Sequence, residues 1–278
     1  MGAAVDPDAF NAFEATGWEQ QAGGYDAFFG PITTRLAGPL LDAAGVRPGA
    51  RVLDVATGPG YVAAAAAERG ADVVGVDVAG AMLALARRAH PGLDFRTGDA
   101  EALPLADASY DMVVANLALL HLGRPDQAAR EFARVLVPGG RVALTVWDVP
   151  ERARFIGVLL EAVASATAGG PPPDIPVGPP FFRFSEEAEF TRLLADAGLE
   201  GIRIDTVAFS LHAASADALW QGLLGGTVRS AALIVRQPEE TQRAIRAAFD
   251  RILQPYTGPG GVELPVSVKL ASAAKPRS

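Results

Sequence analysis

Residues 50–77 read ARVLDVATGPGYVAAAAAERGADVVGVD, and this stretch decides the fold. Two short β-branched runs, Arg51–Val55 and Asp72–Asp77, flank a Gly58-Pro59-Gly60 turn and a segment nearly saturated with alanine. Alanine is the strongest helix former and valine suits a pleated surface, so the order is strand, glycine turn, helix, strand. That is a βαβ unit, the nucleotide-binding half of an open parallel sheet. Gly58 and Gly60 lack Cβ atoms, so the turn can adopt dihedrals closed to other residues and let a ligand approach its backbone. An acid marks each strand end: Asp54 before the turn and Asp77 at the close of the second run. Asp77 stands where a carboxylate accepts hydrogen bonds from two vicinal ribose hydroxyls. These residues predict a nucleoside-containing cofactor.

Working outward, strands and helices of similar length keep alternating. Residues 79–89 are strongly helix-forming, and 93–96 read as a third strand that runs into a Gly98-Asp99-Ala100-Glu101 loop. Residues 111–116 form a fourth strand with the composition of one buried on both faces. A helix over 127–136 is stopped by Pro138-Gly139-Gly140, and 141–147 supply a fifth strand. The pattern from 51 to 147 is that of a doubly wound α/β sheet. Upstream, Ile32, Leu36 and Leu40 recur four apart in an amphipathic helix over 32–44. Residues 6–30 hold six aromatics, among them Trp18 and Tyr25. Most of these read as core anchors of an N-terminal helix, with Tyr25 offering a hydroxyl from a flap.

Beyond Pro150 the pattern loosens. A helix over 155–168 is followed at 169–180 by a stiff connector, six of whose last ten residues are proline. Ser185 reads as the N-cap of a helix over 185–197, with Ala188, Leu193 and Leu194 facing inward. Residues 202–211 alternate as a strand, 216–225 and Glu239–Leu253 are helices, and 262–271 give a last strand antiparallel to 202–211.

Composition bounds the function. The chain has 278 residues, half of them apolar, enough for one large domain or a domain with a cap. A net charge of −8 argues against a nucleic-acid partner and suits a small-molecule substrate. With no cysteine there is no disulfide framework, zinc-thiolate site or thiol nucleophile, and no metal site is expected. No apolar run reaches the length of a membrane span. The first ten residues, MGAAVDPDAF, lack the basic and apolar regions of a secretory signal, so the cytoplasm is the expected location.

Four motifs now stand in order: Asp54-Val-Ala-Thr-Gly58-Pro-Gly60, Gly75-Val-Asp77, Gly98-Asp99-Ala-Glu101-Ala-Leu-Pro104 and Leu136-Val-Pro-Gly-Gly140. Together they resemble the class I S-adenosylmethionine-dependent methyltransferases, in particular the small-molecule branch that includes the ubiquinone and menaquinone methyltransferases. The likeness covers roughly residues 18–148. It implies a seven-stranded Rossmann-like sheet with its last strand antiparallel, a helical cap, S-adenosylmethionine as cofactor and S-adenosylhomocysteine as product. Carried over residue by residue, it sets Ala56, Gly58 and Gly60 near the methionine moiety and counts Asp54 and His121 among the residues that bind the cofactor. Asp77 would hold the ribose, and Val78 and Met82 would flank the adenine. Asp99 would bond the adenine amino group, with Ala100 donating from its backbone. Asn116 and Leu117 would border the methionine end, and Tyr25 would reach its carboxylate. Pro59 departs from the threonine or serine of many relatives and tightens the turn. The matching organisation is a helical flap over 1–30, a cofactor-binding core over 31–150, and over 151–278 the rest of the core with an inserted cap.

Other readings remain open on the sequence. Gly58-Pro-Gly60-Tyr-Val-Ala63, with Asp77 downstream, also satisfies a dinucleotide fingerprint. Against a nicotinamide oxidoreductase, Asp54 would repel a pyrophosphate, and the Gly-Asp-Ala-Glu loop would have no role. A cofactor-binding enzyme that catalyses cyclisation or rearrangement is the other alternative. The fourth strand ends Asn116-Leu-Ala-Leu, unlike the Asn-Pro-Pro-aromatic motif of nucleobase amino methylation. A small, largely apolar acceptor is left, such as a natural product, quinone or phenol, methylated on oxygen or carbon. Trp18, Trp147, Phe181 and Trp220 are candidates for its pocket. His121, five residues past Asn116, is read either as a general base or as packing for the next helix.

Overall fold

Two helices lead into the βαβ unit, α1 (Pro7–Phe28) and α2 (Gly30–Ala44). Strand β1 (Arg51–Val55), helix α3 (Tyr61–Glu68) and strand β2 (Asp72–Asp77) follow, the strands parallel and in a register that sets Asp54 opposite Gly75. The structure, a computed structural model, describes residues 5–167, 172 and 174–277. Helix α4 (Gly80–Ala89) leads to β3 (Asp94–Thr97), after which come β4 (Tyr110–Asn116), α5 (Pro125–Val135) and β5 (Leu136–Trp147). The remainder comprises α6 (Arg154–Ala166), α7 (Glu187–Asp196), β6 (Glu200–Ala213), α8 (Ala216–Gly226), α9 (Arg229–Val235), α10 (Glu239–Leu253), the two-residue β7 (Thr257–Gly258) and β8 (Gly261–Ala274).

The sheet runs β3-β2-β1-β4-β5-β8-β6, and β8 is antiparallel to both β5 and β6. Seven strands with the last antiparallel is the expected architecture, and β7 adds a short eighth beside β8. Strand order reverses between β1 and β4, so the carboxyl ends of the parallel strands open a crevice there. Apolar clusters pack both faces. Leu40, Leu41 and Leu83 lie in one, and Phe132, Phe190 and Leu194 in another. A third gathers α6, α8 and α10 around Phe155, Leu219 and Phe249. Among the described residues no single helix is long and apolar enough to cross a membrane.

Some local readings are corrected. Pro138-Gly139-Gly140 does not separate helix from strand. Gly139 donates to the Lys275 carbonyl at 3.0 Å and Lys275 to that of Gly140 at 2.9 Å, which carries β5 back to Leu136. Ser185 is not an N-cap: it closes a 3₁₀ turn, its hydroxyl donates to the Phe182 carbonyl, and α7 starts at Glu187. Ala188 is exposed and Phe190 takes the inward position. Helix α9 was not anticipated. Part of the expected connector, residues 169–171 and 173, and the last residue of the helix read over 155–168 lie outside the described residues.

Helix α1 is held over the sheet's carboxyl edge by close packing and by polar ties. A Cβ on Gly24 would stand 1.9 Å from the Gly225 carbonyl oxygen, and one on Gly222 would stand 2.0 Å from the Phe28 ring, so α1 and α8 touch where side chains are missing. Asn11 bridges Glu101 and the Gly123 amide, Arg124 pairs with Asp8 at 2.8 Å, and Glu19 accepts from the Gly80 and Ala81 amides. These ties roof the crevice.

Candidate active site

The roofed crevice is a cavity of about 860 Å³, including its mouth. The strand ends supply Ala56 and Gly58 after β1, Asp77 and Val78 at β2, Gly98, Asp99 and Ala100 after β3, and Asn116 and Leu117 at β4. Met82 rises from α4, and α1 contributes Asn11, Glu14, Trp18 and Tyr25. Of the expected cofactor residues all but Asp54 and Gly60 line this one space. Those two lie behind its wall. Gly60, at φ +86°, caps α3, and a Cβ there would meet the Phe95 ring at 2.7 Å. Val78 is 49% exposed, an open apolar side chain that lines the same space as Met82.

The backbone at the cavity is strained. Among the described residues only Ala56, Ala108 and Leu117 combine a side chain with positive φ, and two of the three line the cavity, at +54° and +57°. Such conformations cost on the order of 1–3 kcal/mol and gather at ligand sites. Leu117 is held there by its amide, which donates to Thr145 Oγ1 at 2.9 Å. That hydroxyl donates to Asn116 Oδ1 at 2.6 Å, and Asn116 Nδ2 donates to the Thr33 carbonyl at 3.1 Å. Asn116 thus ties β4, β5 and α2 together at the cavity wall.

Two buried carboxyls set the electrostatics. Asp77 Oδ2 accepts from the Gly58 amide at 2.8 Å and Oδ1 from Ala79 at 2.9 Å, which leaves further lone pairs for a ligand's hydroxyls. Burial raises its pKa despite those donors. Asp54 accepts from the Thr57 hydroxyl at 2.6 Å and the Ala63 amide at 3.0 Å, and burial nevertheless pushes it up to about 7. An acid whose folded pKa is raised keeps its proton in the native state after the unfolded chain has lost it. The Asp54 carboxyl therefore lowers stability as pH rises from about 4 towards 7, by at most about 1.4 kcal/mol per pH unit. The ligand-free protein should melt lower at pH 7 than at pH 5, with a flatter slope in Asp54→Asn. Identical slopes in thermal melts would refute the assignment.

At the other end of the cavity Glu14, 3% exposed, meets His121. Its Oε2 lies 2.9 Å from His121 Nδ1 and accepts from Trp18 Nε1 at 3.1 Å. The Oε1 atom is buried with no partner among the described residues. The Trp18 ring stands edge-on to His121 at 5.0 Å and to Tyr25 at 5.4 Å, and Tyr25 stacks on Phe29. Burial lifts the Tyr25 phenol to about 12, so it remains a donor. A histidine whose Nδ1 is held by a carboxylate presents Nε2 as a proton acceptor.

Beyond this group opens a second cavity of about 450 Å³, including its mouth. Trp18, Tyr25, Leu117 and His121 line both spaces and form the wall between them. The second is mainly apolar, with Phe29, Leu120, Trp147, Ile156 and Phe181. Trp18, Trp147 and Phe181 are thereby brought together. Trp220 is not: it packs edge-on against Phe249 at 5.0 Å beneath Arg246 and lines neither cavity, because α8 turns that face to the core. Asp148, at the end of β5, is buried against Ser267, which donates to it at 2.8 Å. Glu101 faces α1 and Arg124 while its neighbour Asp99 faces the cavity. Glu14 was missed from sequence, where its one signal is the spacing of four from Trp18 on a helix. Its contact with His121 spans 107 residues and is a product of the fold.

Known proteins resemble the chain in sequence and in fold. A family model described as a methyltransferase domain matches residues 53–144. The demethylmenaquinone methyltransferase of Renibacterium salmoninarum is 33% identical over 166 residues, which are 57% of this chain and 70% of that one. In fold, the YcgJ protein of Bacillus subtilis superposes with a TM-score of 0.61 at 20% identity, over 88% of this chain and 99% of that one. The cyclase SpnF superposes with a TM-score of 0.60 at 19% identity over the whole of both chains. The chain belongs to the class I S-adenosylmethionine-dependent methyltransferases, and S-adenosylmethionine is its cofactor.

Proposed function

We propose that this chain methylates a small, largely apolar acceptor on oxygen or carbon, with the cofactor in the first cavity and the acceptor in the second. The observation that carries this reading is the shared wall. An acid-lined chamber with strained backbone and an apolar chamber meet at Trp18, Tyr25, Leu117 and His121. The acidic side chains suit a ligand bearing a sulfonium and an ammonium. When bound, that cofactor supplies an electrophilic methyl group. The chain's own part is to orient the acceptor, exclude water and take its proton. His121 Nε2 would receive that proton, and Glu14 would steady the imidazolium through Nδ1.

The relatives' name, demethylmenaquinone methyltransferase, supports a quinol or phenol among acceptors. With this reading go a flap over 1–30, a core over 31–150 and a cap within 151–278, a cytoplasmic setting and no nucleic-acid partner. Family membership removes the support for a nicotinamide oxidoreductase. A cyclase would leave the Glu14–His121 pair without a proton to take up, so methylation is preferred.

The test is direct. S-adenosylhomocysteine should raise the melting temperature, by about 2.7 kcal/mol of stabilisation at 100 times its Kd, and NADH should not. Methyl-labelled cofactor incubated with phenols and quinols should then give labelled product by mass spectrometry. Cofactor binding with no methyl transfer to any acceptor, but with rearranged product, would replace this reading by the cyclase one.

A further inference from the structure

One charged side chain in the second cavity has no task in the chemistry above. Arg229, the first residue of α9, lines that cavity and not the first. Its Nη1 donates to the Pro179 carbonyl at 2.8 Å, and its guanidinium lies 5.5 Å from the centre of the Phe10 ring. These contacts fix the side chain, yet they use one of five N–H donors and supply no counter-charge. Other arginines near the cap are paired: Arg183 with Asp126 at 2.7 Å and Arg236 with Asp174 at 2.8 Å. Arg229 has no ion pair among the described residues, and the residues outside them, 1–4, 168–171, 173 and 278, include no Asp or Glu. Glu14 is the one carboxylate whose charge acts on it, but it makes no hydrogen bond or ion pair with Arg229 and holds Trp18 and His121 through Oε2.

Holding a cation in an apolar chamber without an anion is costly. Burial accordingly lowers the Arg229 pKa. Apart from His121, the rest of the lining is apolar or, at Tyr25, Thr33, Thr227 and Ser230, carries only a neutral hydroxyl. A ligand that filled this space with a neutral apolar body would leave the guanidinium desolvated and unpaired. A ligand with one carboxylate would satisfy it, because a guanidinium offers two parallel N–H donors to two oxygens.

We infer that Arg229 anchors the acceptor by a carboxylate, so that the second cavity selects apolar acids over their neutral analogues. The inference rests on reading that cavity as the acceptor chamber. Arg229 is absent from the first cavity, so the carboxylate is a substituent carried apart from the atom that is methylated.

The probes are 6-hydroxy-2-naphthoate, whose carboxylate and hydroxyl stand at opposite ends, and its neutral isostere 6-hydroxy-2-naphthamide, titrated by calorimetry into protein saturated with S-adenosylhomocysteine. Wild type should bind the acid at least about tenfold more tightly than the amide, the effect of one charge-assisted pair. Arg229→Gln should erase that preference and keep wild-type affinity for S-adenosylhomocysteine, which also reports an intact fold. Arg229→Lys should retain part of the preference, having the charge without the fork. Equal binding of acid and amide by wild type, a preference that survives Arg229→Gln, or no binding of either probe would overturn the assignment. Failure of wild type to bind S-adenosylhomocysteine would instead strike at the methyltransferase reading itself.

Discussion

His121→Ala should lower kcat by about 10²–10⁴-fold, the usual contribution of a positioned general base, while the affinity for S-adenosylmethionine stays within a few-fold. His121 borders both cavities, and Glu14 Oε2 lies 2.9 Å from its Nδ1; in the proposed reading its Nε2 takes the acceptor's proton. Added imidazole should restore part of the lost rate in the alanine variant and leave the wild type unchanged. Glu14→Gln should reduce kcat less, because it keeps a hydrogen-bonding side chain but loses the charge that steadies the imidazolium. Glu14 is buried, so the kcat of its variant is read alongside a melting curve. An alanine variant as fast as wild type would mean that the acceptor needs no base and that proximity alone suffices.

The sheet was legible because its signals are local. Valine runs, a glycine turn and an alanine helix specify β1, α3 and β2 within a stretch of 28 residues, 50–77. Each expected cofactor residue at a strand end inherits its place from that pattern, as Asp77 and Val78 do. What escaped depends on contacts between distant segments. Helix α9 is seven residues long and follows Gly225-Gly226-Thr227, a sequence that reads as a break. Its Arg229 enters the second cavity only because α8 packs against α1 and α9 against α8 and α6. Trp220 shows the opposite error. On sequence alone this aromatic reads as a pocket residue, whereas the face of α8 that carries it packs with Phe249 and Leu253 in the core. Periodicity says that a helix has an inner face, but not which neighbour that face meets.

Asp77→Asn should weaken binding of S-adenosylhomocysteine by at least about a hundredfold. Two hydrogen bonds from ribose hydroxyls to a charged carboxylate are worth roughly 1.5–3 kcal/mol each, and 1.4 kcal/mol is one decade of affinity. Asparagine has nearly the same shape but exchanges one acceptor oxygen for an amino group. That amino group would face the Gly58 or the Ala79 amide, each of which donates to Asp77 in the wild type. The turn after β1 and the start of α4 would then no longer be drawn to one side chain, and the ribose would lose its partner as well. Two opposed effects act on the folded state. Burial raises the Asp77 pKa, so a neutral amide removes the cost of ionising it, while the amino group left facing a backbone amide costs a hydrogen bond. The ligand-free variant should therefore melt close to the wild-type temperature at pH 8, while the shift induced by S-adenosylhomocysteine collapses. The same linkage gives the sign of the pH effect in the wild type. Protonated Asp77 is a poorer acceptor, so cofactor affinity should fall as pH falls through its raised pKa, and Asp77→Asn should lack that dependence. Calorimetry across pH 5–8 measures both. A variant that keeps wild-type affinity, or loses affinity only in proportion to lost stability, would show that the ribose is held elsewhere.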